Sequence, residues 1–230
     1  MKYYKFQSSS FLNILALSNC QLVFGGLNRF NDVFDGHVVF RNDNDAHKEY
    51  FNSVIKDYED KLDRRRFYCL ASSDNVNFIE NAHLMWAHYA EGHKGFCVEF
   101  NEEILSNFPL LETGKSNSSI KIKYPENFSY PELYVDNKGM LSETIDNILA
   151  KAVSIKHKQW EYEQEIRLIS KVDRCYLVEP SAIEAIYLGV KIKDETKQEL
   201  LKVARKLGIK CYQMSIGEED EYKLEKQEIY

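Results

Sequence analysis

Hydrophobic positions recur along this chain with two periods, one typical of helices and the other of strands. Apolar residues at three- and four-residue steps predict helices at about 11–17, 44–65, 142–160 and 194–207. Alternating or aromatic runs predict strands at about 2–6, 21–24, 67–72, 96–100, 120–124, 183–190 and 209–214. Strands and helices are therefore interspersed along the chain, as in a protein that mixes both.

The length of the chain, 230 residues, is that of one generous domain with a substantial core. We expect a single domain over residues 1–215. Residues 106–140, rich in Ser, Asn and Pro, predict an excursion or lid within it. Residues 216–230, rich in Glu and Lys, predict a charged and exposed tail.

Composition and charge exclude several classes of protein. A net charge of −6 argues against general electrostatic binding to nucleic acid or acidic membranes. No run approaches the about 20 apolar residues that span a bilayer, and the first residues lack the apolar core of a signal peptide. The five scattered cysteines contain no C-x-x-C pair, which is typical of a reduced protein. We expect a cytoplasmic protein without a membrane partner.

The stretch Lys156–Ile169 is the strongest candidate for a functional site. After Trp160 the period changes to two, which places Glu163, Glu165 and Arg167 on one face of a strand. Burying such a face is costly unless the charges meet partners or a ligand. The alternative is a solvated surface strand whose charges pair with one another.

A second dense stretch, 84–95, contains Trp86, His88, Tyr89 and His93. Its histidines are spaced by five, roughly 140° apart on an ideal helix, so they do not converge on a metal. The chain also lacks the H-E-x-x-H, G-x-S-x-G, Walker and G-x-G-x-x-G motifs. We therefore expect no metal site.

Aromatic rings and charges in these two stretches suit a nucleotide-like ligand. Aromatic faces stack on flat rings such as nicotinamide or a nucleobase. A carboxylate can act as a general base or stabilise an oxocarbenium-like transition state. Chemistry at a glycosidic bond, nuclease chemistry and nucleotide binding without catalysis all fit this set.

The two stretches, with a third near the start, resemble a bacterial family of domains of unknown function. The matching motifs are F-N-D-x-F-[DE], M-W-x-H-Y-x-x-x-H-x-G-x-C and K-x-x-x-W-x-Y-E-x-E-x-R. They stand here at Phe30–Asp35, Met85–Cys97 and Lys156–Arg167.

More distantly, the layout resembles the ADP-ribosyltransferase superfamily. Tyr4-Lys5, then Asn13-Ile14-Leu15 and the strand at 21–24, follow the opening of such enzymes, with Lys5 where they carry the His or Arg that grips the cofactor ribose. Glu163-Gln164-Glu165 is similar to their E-x-E motif. The resemblance implies an α+β fold in which two antiparallel sheets, flanked by helices, form a central cleft.

The same resemblance implies an enzyme that uses NAD as a substrate, either an ADP-ribosyltransferase acting on a macromolecular acceptor or an NAD glycohydrolase. A bacterial toxin or anti-phage effector is the implied biological role. Glu165 would stabilise the ribosyl cation or polarise the acceptor, and Glu163 would assist acceptor choice. Tyr89 would stack on nicotinamide, beside the remaining cofactor-binding candidates. These are Tyr4, Lys5, Trp86, His93 and Arg167, with His88 placed in the catalytic set beside the two carboxylates.

Two alternatives remain at this point. A metal-independent nuclease would use His88 or His93 with Glu165 as acid and base, and Lys158 or Arg167 on the phosphate. A nucleotide sensor would bind the same ligand without turnover.

Overall fold

A mixed sheet of eight strands organises the structure, a computed structural model that describes residues 1–106, 108, 117–171, 174–217 and 222–230. The strands, including four that lie in two smaller sheets, are Lys2–Gln7 (β1), Gln21–Val23 (β2), Val39–Asn42 (β3), Arg66–Ser73 (β4), Phe96–Phe100 (β5), Asn117–Lys121 (β6), Glu132–Val135 (β7), Glu165–Ser170 (β8), Cys175–Leu177 (β9), Ile183–Leu188 (β10), Lys210–Ile216 (β11) and Leu224–Glu228 (β12).

The large sheet has the strand order β12-β11-β10-β5-β1-β4-β8-β6. Its neighbours are antiparallel except β10 and β11, which are parallel. A parallel pair needs a long crossover connection, and the helix between these two strands supplies it. Strand β1 lies in the middle, with Tyr4 opposite Ala71 of β4 on one side and Glu99 of β5 on the other.

The two remaining sheets have two strands each, β2 with β9 antiparallel and β3 with β7 parallel. The mixture of helices and strands expected from the sequence is confirmed. The expected pair of antiparallel sheets differs from what is found, which is one large mixed sheet. The difference arises because β1 pairs with both β4 and β5 and so joins the two halves into one ladder.

Six α-helices pack around the sheets within the described ranges. They are Phe11–Ser18 (α1), Lys48–Asp63 (α2), Phe78–Asn81 (α3), His83–Tyr89 (α4), Ile145–Ala152 (α5) and Asp194–Leu207 (α6). Ser10 and Thr144 cap α1 and α5 by accepting hydrogen bonds from Asn13 N and Asn147 N. Gly208 ends α6 in the left-handed conformation.

The helix predicted over 142–160 is shorter in the structure. Helix α5 ends at Ala152, because the next residues join an extended segment: Ile155 lies opposite Lys123, and Lys156 N donates to Lys123 O at 3.0 Å. A 3-10 turn at Lys158–Glu163 then leads into β8. This path turns the side chain of Lys156 inward, where it is buried.

Both faces of the sheet are covered, which explains why every residue of β5, including Glu99, is buried. Alternation along β1 divides the core: Tyr3 packs in the cluster with α1 and α6, whereas Tyr4 and Phe6 pack on the other face with Trp86. The Trp86 ring meets Phe6 edge-to-face at 5.1 Å and is completely buried.

The excursion and the tail expected from the sequence both contain strands. Residues 107 and 109–116 of the predicted 106–140 excursion lie outside the described part, but β6 and β7 fall within its remainder. In the predicted 216–230 tail, β12 pairs with β11; Leu224 is buried and the rest of β12 is exposed. None of the helices in the described ranges is long and apolar enough to cross a membrane.

Gly95 lies where the loop after α4 passes closest to β1. A Cβ at this position would lie 2.0 Å from the carbonyl oxygen of Gln7. We expect Gly95→Ala to lower the free energy of unfolding by about 2 kcal/mol, because backbone must move to relieve the clash. Urea denaturation measures this. Gly26→Ala is the matched control, since its Cβ would meet only side chains, the nearest being Asn28 Oδ1 at 3.0 Å. Equal losses in the two variants would contradict the prediction.

Candidate functional site

A cavity of about 270 Å³ opens beside the central strands and is called here the central cavity. Strands β1 and β4 form its floor, the segment 23–31 and α4 form its sides, and the segment 156–165 closes the end. Its wall is mostly aromatic and apolar. The charged or polar side chains among its lining residues are Lys5, Arg29, Asn31, Cys69, Tyr89, Lys156, Glu163 and Glu165.

Two carboxylates, Glu163 and Glu165, share one ammonium at the end of the central cavity. Lys156 Nζ donates to Glu163 Oε2 at 2.5 Å and to Glu165 Oε2 at 3.2 Å. All three side chains are at least nine-tenths buried. The two carboxylates therefore lie side by side in a low-dielectric environment, where the interactions between charges are strong.

The guanidinium of Arg167, which lies outside the cavity wall, binds the carboxylate of Glu165. Its Nε donates to Glu165 Oε1 at 2.9 Å, and its Nη1 donates to Asp35 Oδ1 at 2.7 Å and to the carbonyl oxygen of Val153 at 3.1 Å. Arg167 is completely buried and stacks 5.0 Å from the ring of Phe30. Because both donor edges of the guanidinium are occupied, one by Glu165 and one by Asp35, the side chain of Arg167 fixes the orientation of Glu165.

Tyr89 of α4 completes the polar end of the central cavity. Its hydroxyl donates to Glu163 Oε1 and also hydrogen-bonds the side chain of Asn31. Burial and the charge of Glu163 raise the pKa of Tyr89, so the phenol stays protonated and serves as a donor. The helix, the 30–35 loop and the 156–165 segment thus meet at one carboxylate.

The two carboxylates are pushed toward different protonation states. Burial raises the pKa of Glu163; Lys156 opposes this effect, and the charge of Glu165 adds to it. Burial also opposes the ionised form of Glu165, but Arg167 and Lys156 outweigh it and hold the pKa of Glu165 well below its usual value. A neighbouring pair with pKa values driven apart is the usual signature of separate acid–base and electrostatic roles.

Cys69 faces the central cavity from β4 and hydrogen-bonds Glu165. Burial and the charge of Glu165 raise the pKa of this thiol well above its usual value. A thiol held protonated is a poor nucleophile. Cys69 therefore acts as a donor to Glu165.

The structure brings five of the sequence-predicted site residues to the central cavity and places four elsewhere. Those lining it are Tyr4, Lys5, Tyr89, Glu163 and Glu165. Lys5 is already engaged, because its Nζ donates to Cys69 O at 2.9 Å and lies over the Tyr68 ring.

The four residues outside the cavity wall, Trp86, His88, His93 and Arg167, have other contacts. Trp86 is in the core, where its indole N–H donates to Ile79 O at 3.0 Å, and His93 stacks against it. His88 is exposed and contacts the Tyr162 hydroxyl at 2.9 Å. Arg167 is committed to Asp35 and Glu165. Helix α4 turns only one face toward the central cavity, so Tyr89 lines the cavity while Trp86 and His88 of the same helix do not.

Sequence reasoning missed Lys156 and Asp35 as members of the site. Both belong to the recognised motifs, at the first position of one and the last of another, but neither pattern revealed that their side chains would be buried together. Lys156 Nζ lies 3.9 Å from Asp35 Oδ2. Within the described residues, no group of three or more His, Cys, Asp or Glu side chains could hold a metal ion.

These features define a mixed α/β protein with a buried charge network at the end of the central cavity. Residues 85–168, little more than a third of the chain, match a family described as "Protein of unknown function (DUF2971)". The match begins in α4 and ends in β8, so it spans Tyr89, Lys156, Glu163, Glu165 and Arg167. No curated protein and no solved structure gives a significant match to the chain.

The Asp35–Arg167 pair generates a stability prediction. Asp35→Asn removes one of two carboxylates from a completely buried guanidinium, and we expect the free energy of unfolding to fall by about 3 kcal/mol or more. Asp32→Asn is the control on the same loop, because among the described residues its Oδ1 accepts only from Phe34 N, at 3.0 Å, and an amide oxygen can accept the same bond. We expect the control to change stability by less than about 0.5 kcal/mol. Urea unfolding that shows equal losses would contradict the assigned role of Asp35.

Proposed function

We propose that this protein binds NAD in the central cavity and breaks its nicotinamide–ribose bond, transferring ADP-ribose to a macromolecular acceptor or to water. The observation that carries the proposal is the Glu163–Glu165 pair, whose pKa values are shifted in opposite directions at the end of the central cavity. Loss of a pyridinium leaving group requires a fixed negative charge near the ribose and a base for the attacking nucleophile.

The central cavity suits the nicotinamide half of the cofactor. Its rings include Tyr4, Phe30, Phe67 and Tyr89, which favour stacking with a flat cationic ring. A cavity of about 270 Å³ takes the ring and its ribose rather than the whole dinucleotide. Arg29, exposed at this wall, is placed to meet a phosphate.

The two carboxylates would divide the chemistry. The carbon–nitrogen bond at ribose C1′ breaks, and nicotinamide leaves as a neutral molecule with the bonding electron pair. Glu165, kept ionised by Arg167 and Lys156, stabilises the positive charge on the ribose. The acceptor then attacks C1′ and gives its proton to Glu163, whose raised pKa suits a general base.

The nuclease and sensor alternatives are outcomes of the same experiments. The nuclease hypothesis needs His88 or His93 beside Glu165, and both histidines lie outside the central cavity. A sensor would bind NAD with thermal stabilisation but release no nicotinamide. Cleavage of RNA or DNA without NAD would favour the nuclease.

The proposal predicts the effect of removing the base. Glu163→Gln should lower kcat for nicotinamide release or label transfer by about 10²-fold or more, because the amide cannot accept the proton. The assay follows NAD labelled in its adenine ring, incubated with the protein and cell lysate, for loss of NAD and for label on macromolecules.

Glu161→Gln is the matched control for this prediction. Glu161 lies on the same 3-10 turn but is exposed and pairs with Lys158 at 3.0 Å. We expect it to retain full activity. Wild-type protein that neither consumes NAD nor transfers label contradicts the proposal, as does a Glu163→Gln variant, folded by circular dichroism, that matches the wild type. Glu165→Gln should also lose activity, and unchanged turnover there would remove the electrostatic role.

The pH profile offers a separate prediction. Activity requires ionised Glu163, so kcat/KM should rise with pH through its raised pKa. The Tyr89 hydroxyl donates to the ionised form and lowers that pKa. Tyr89→Phe removes the donor, keeps the ring, and should therefore shift the acid limb to higher pH. Tyr162→Phe is the control, because that hydroxyl contacts His88 rather than a carboxylate. An acid limb that stays in place, or moves to lower pH, in Tyr89→Phe would contradict the assignment.

A further inference from the structure

A second cavity, of about 300 Å³, lies on the other side of Lys156 and is called here the aromatic cavity. Half of its lining residues carry rings: Phe34, Phe128, Tyr130, His157 and Trp160. The charged residues among its lining are Asp32, Asp35 and Lys156. Nothing in the NAD chemistry proposed above uses this space.

The two cavities share their dividing wall. In the 29–35 loop, Arg29, Phe30 and Asn31 line the central cavity, whereas Asp32, Phe34 and Asp35 line the aromatic cavity. Lys156 lines both cavities. Seven of the ten residues that line the aromatic cavity therefore belong to the same two motifs as the site, and Phe128, Tyr130 and Ile155 complete its wall.

The charges around the aromatic cavity disfavour an anion. Its one ammonium, Lys156, is committed to Glu163 and Glu165 and lies 3.9 Å from Asp35. His157 Nδ1 accepts a hydrogen bond from Gln159 N at 3.3 Å. Lys156 is therefore not free to bind a phosphate or carboxylate in this cavity.

The same charges favour a cation. Asp32, Asp35, Glu163 and Glu165 supply four carboxyl groups in or next to this wall, against the two cations Lys156 and Arg167. In the described part of the chain Asp32 forms no ion pair, and its Oδ1 accepts only from the backbone N–H of Phe34. An added positive charge would balance this excess.

The rings are arranged as the corner of a cage. Phe128 and Tyr130 meet at 5.1 Å with planes at 88°, and Phe128 and His157 meet at 5.5 Å with planes at 64°. Trp160 already holds a cation, since Lys156 Nζ lies 4.9 Å from its ring centroid. Perpendicular rings with a nearby carboxylate are the arrangement that recognises quaternary ammonium groups.

We infer that the aromatic cavity is a binding site for a small organic cation of the alkylammonium type, held by Phe128, Tyr130 and Trp160 with Asp32 as its counter-charge. The inference concerns binding alone and does not depend on NAD cleavage. Its ligand differs in charge from a neutral nucleobase, which the same rings would also stack.

Trp160 supplies a direct probe of binding. The chain has two tryptophans, and Trp86 is completely buried in the core, so a change in emission on adding a small ligand reports on Trp160. Choline is the test cation, and 3,3-dimethylbutan-1-ol, which replaces its nitrogen by carbon, is the neutral control. We expect saturable binding of choline and about tenfold weaker binding of the neutral analogue.

Variants separate charge from shape. Asp32→Asn should weaken choline binding about fivefold and leave the neutral analogue unchanged, while Asp60→Asn on the exposed face of α2 should change neither. Phe128→Leu should weaken choline binding by a similar factor. Equal affinity for choline and its neutral analogue, binding of adenosine without choline, or no saturable change in the wild type would each overturn the inference. None of these results bears on NAD turnover, which is measured separately.

Discussion

The buried guanidinium of Arg167 is the contact on which the rest of the site depends. It joins Asp35 of the 29–35 loop, Glu165 of β8 and the carbonyl oxygen of Val153 at the end of α5. Removing a charge from water costs several kcal/mol unless partners compensate it. The three partners come from separate parts of the chain, so satisfying Arg167 also fixes how the loop, the helix end and the strand meet.

One consequence is an unequal pair of carboxylates. Arg167 and Lys156 both contact Glu165, whereas Glu163 has Lys156 and the neutral hydroxyl of Tyr89. Asp35 is the third buried carboxyl group of this network, so three carboxyl groups share the two cations Lys156 and Arg167. Burial raises the pKa of Glu163, whereas Arg167 and Lys156 hold that of Glu165 below its usual value, so Glu163 is the member of this pair better suited to take up a proton. The chemical roles proposed for the pair rest on this difference more than on the presence of two acids.

A second consequence is the position of Lys156 between two cavities. Its ammonium is held by the carboxylates on one side and lies over the ring of Trp160 on the other. Each of the motifs at Phe30–Asp35 and Lys156–Arg167 contributes residues to both walls. The complete burial of Arg167 argues against a solvated surface strand.

Local pattern in the sequence determined the elements and the face on which the charges lie. The period of two correctly placed Glu165 and Arg167 on one face of β8, but Glu163, which it placed on the same strand, lies in the 3-10 turn before it. The period near 3.6 located α6 with its Gly208 end. Long-range pairing lay beyond such patterns, because it depends on which backbone edges meet. Only the tertiary structure joined the strands into one sheet through β1, ended α5 at Ala152, and separated Tyr89 from Trp86 and His88. It also brought Asp35 and Lys156 to Glu165, since a buried charge selects its partners by distance in space and not by separation along the chain.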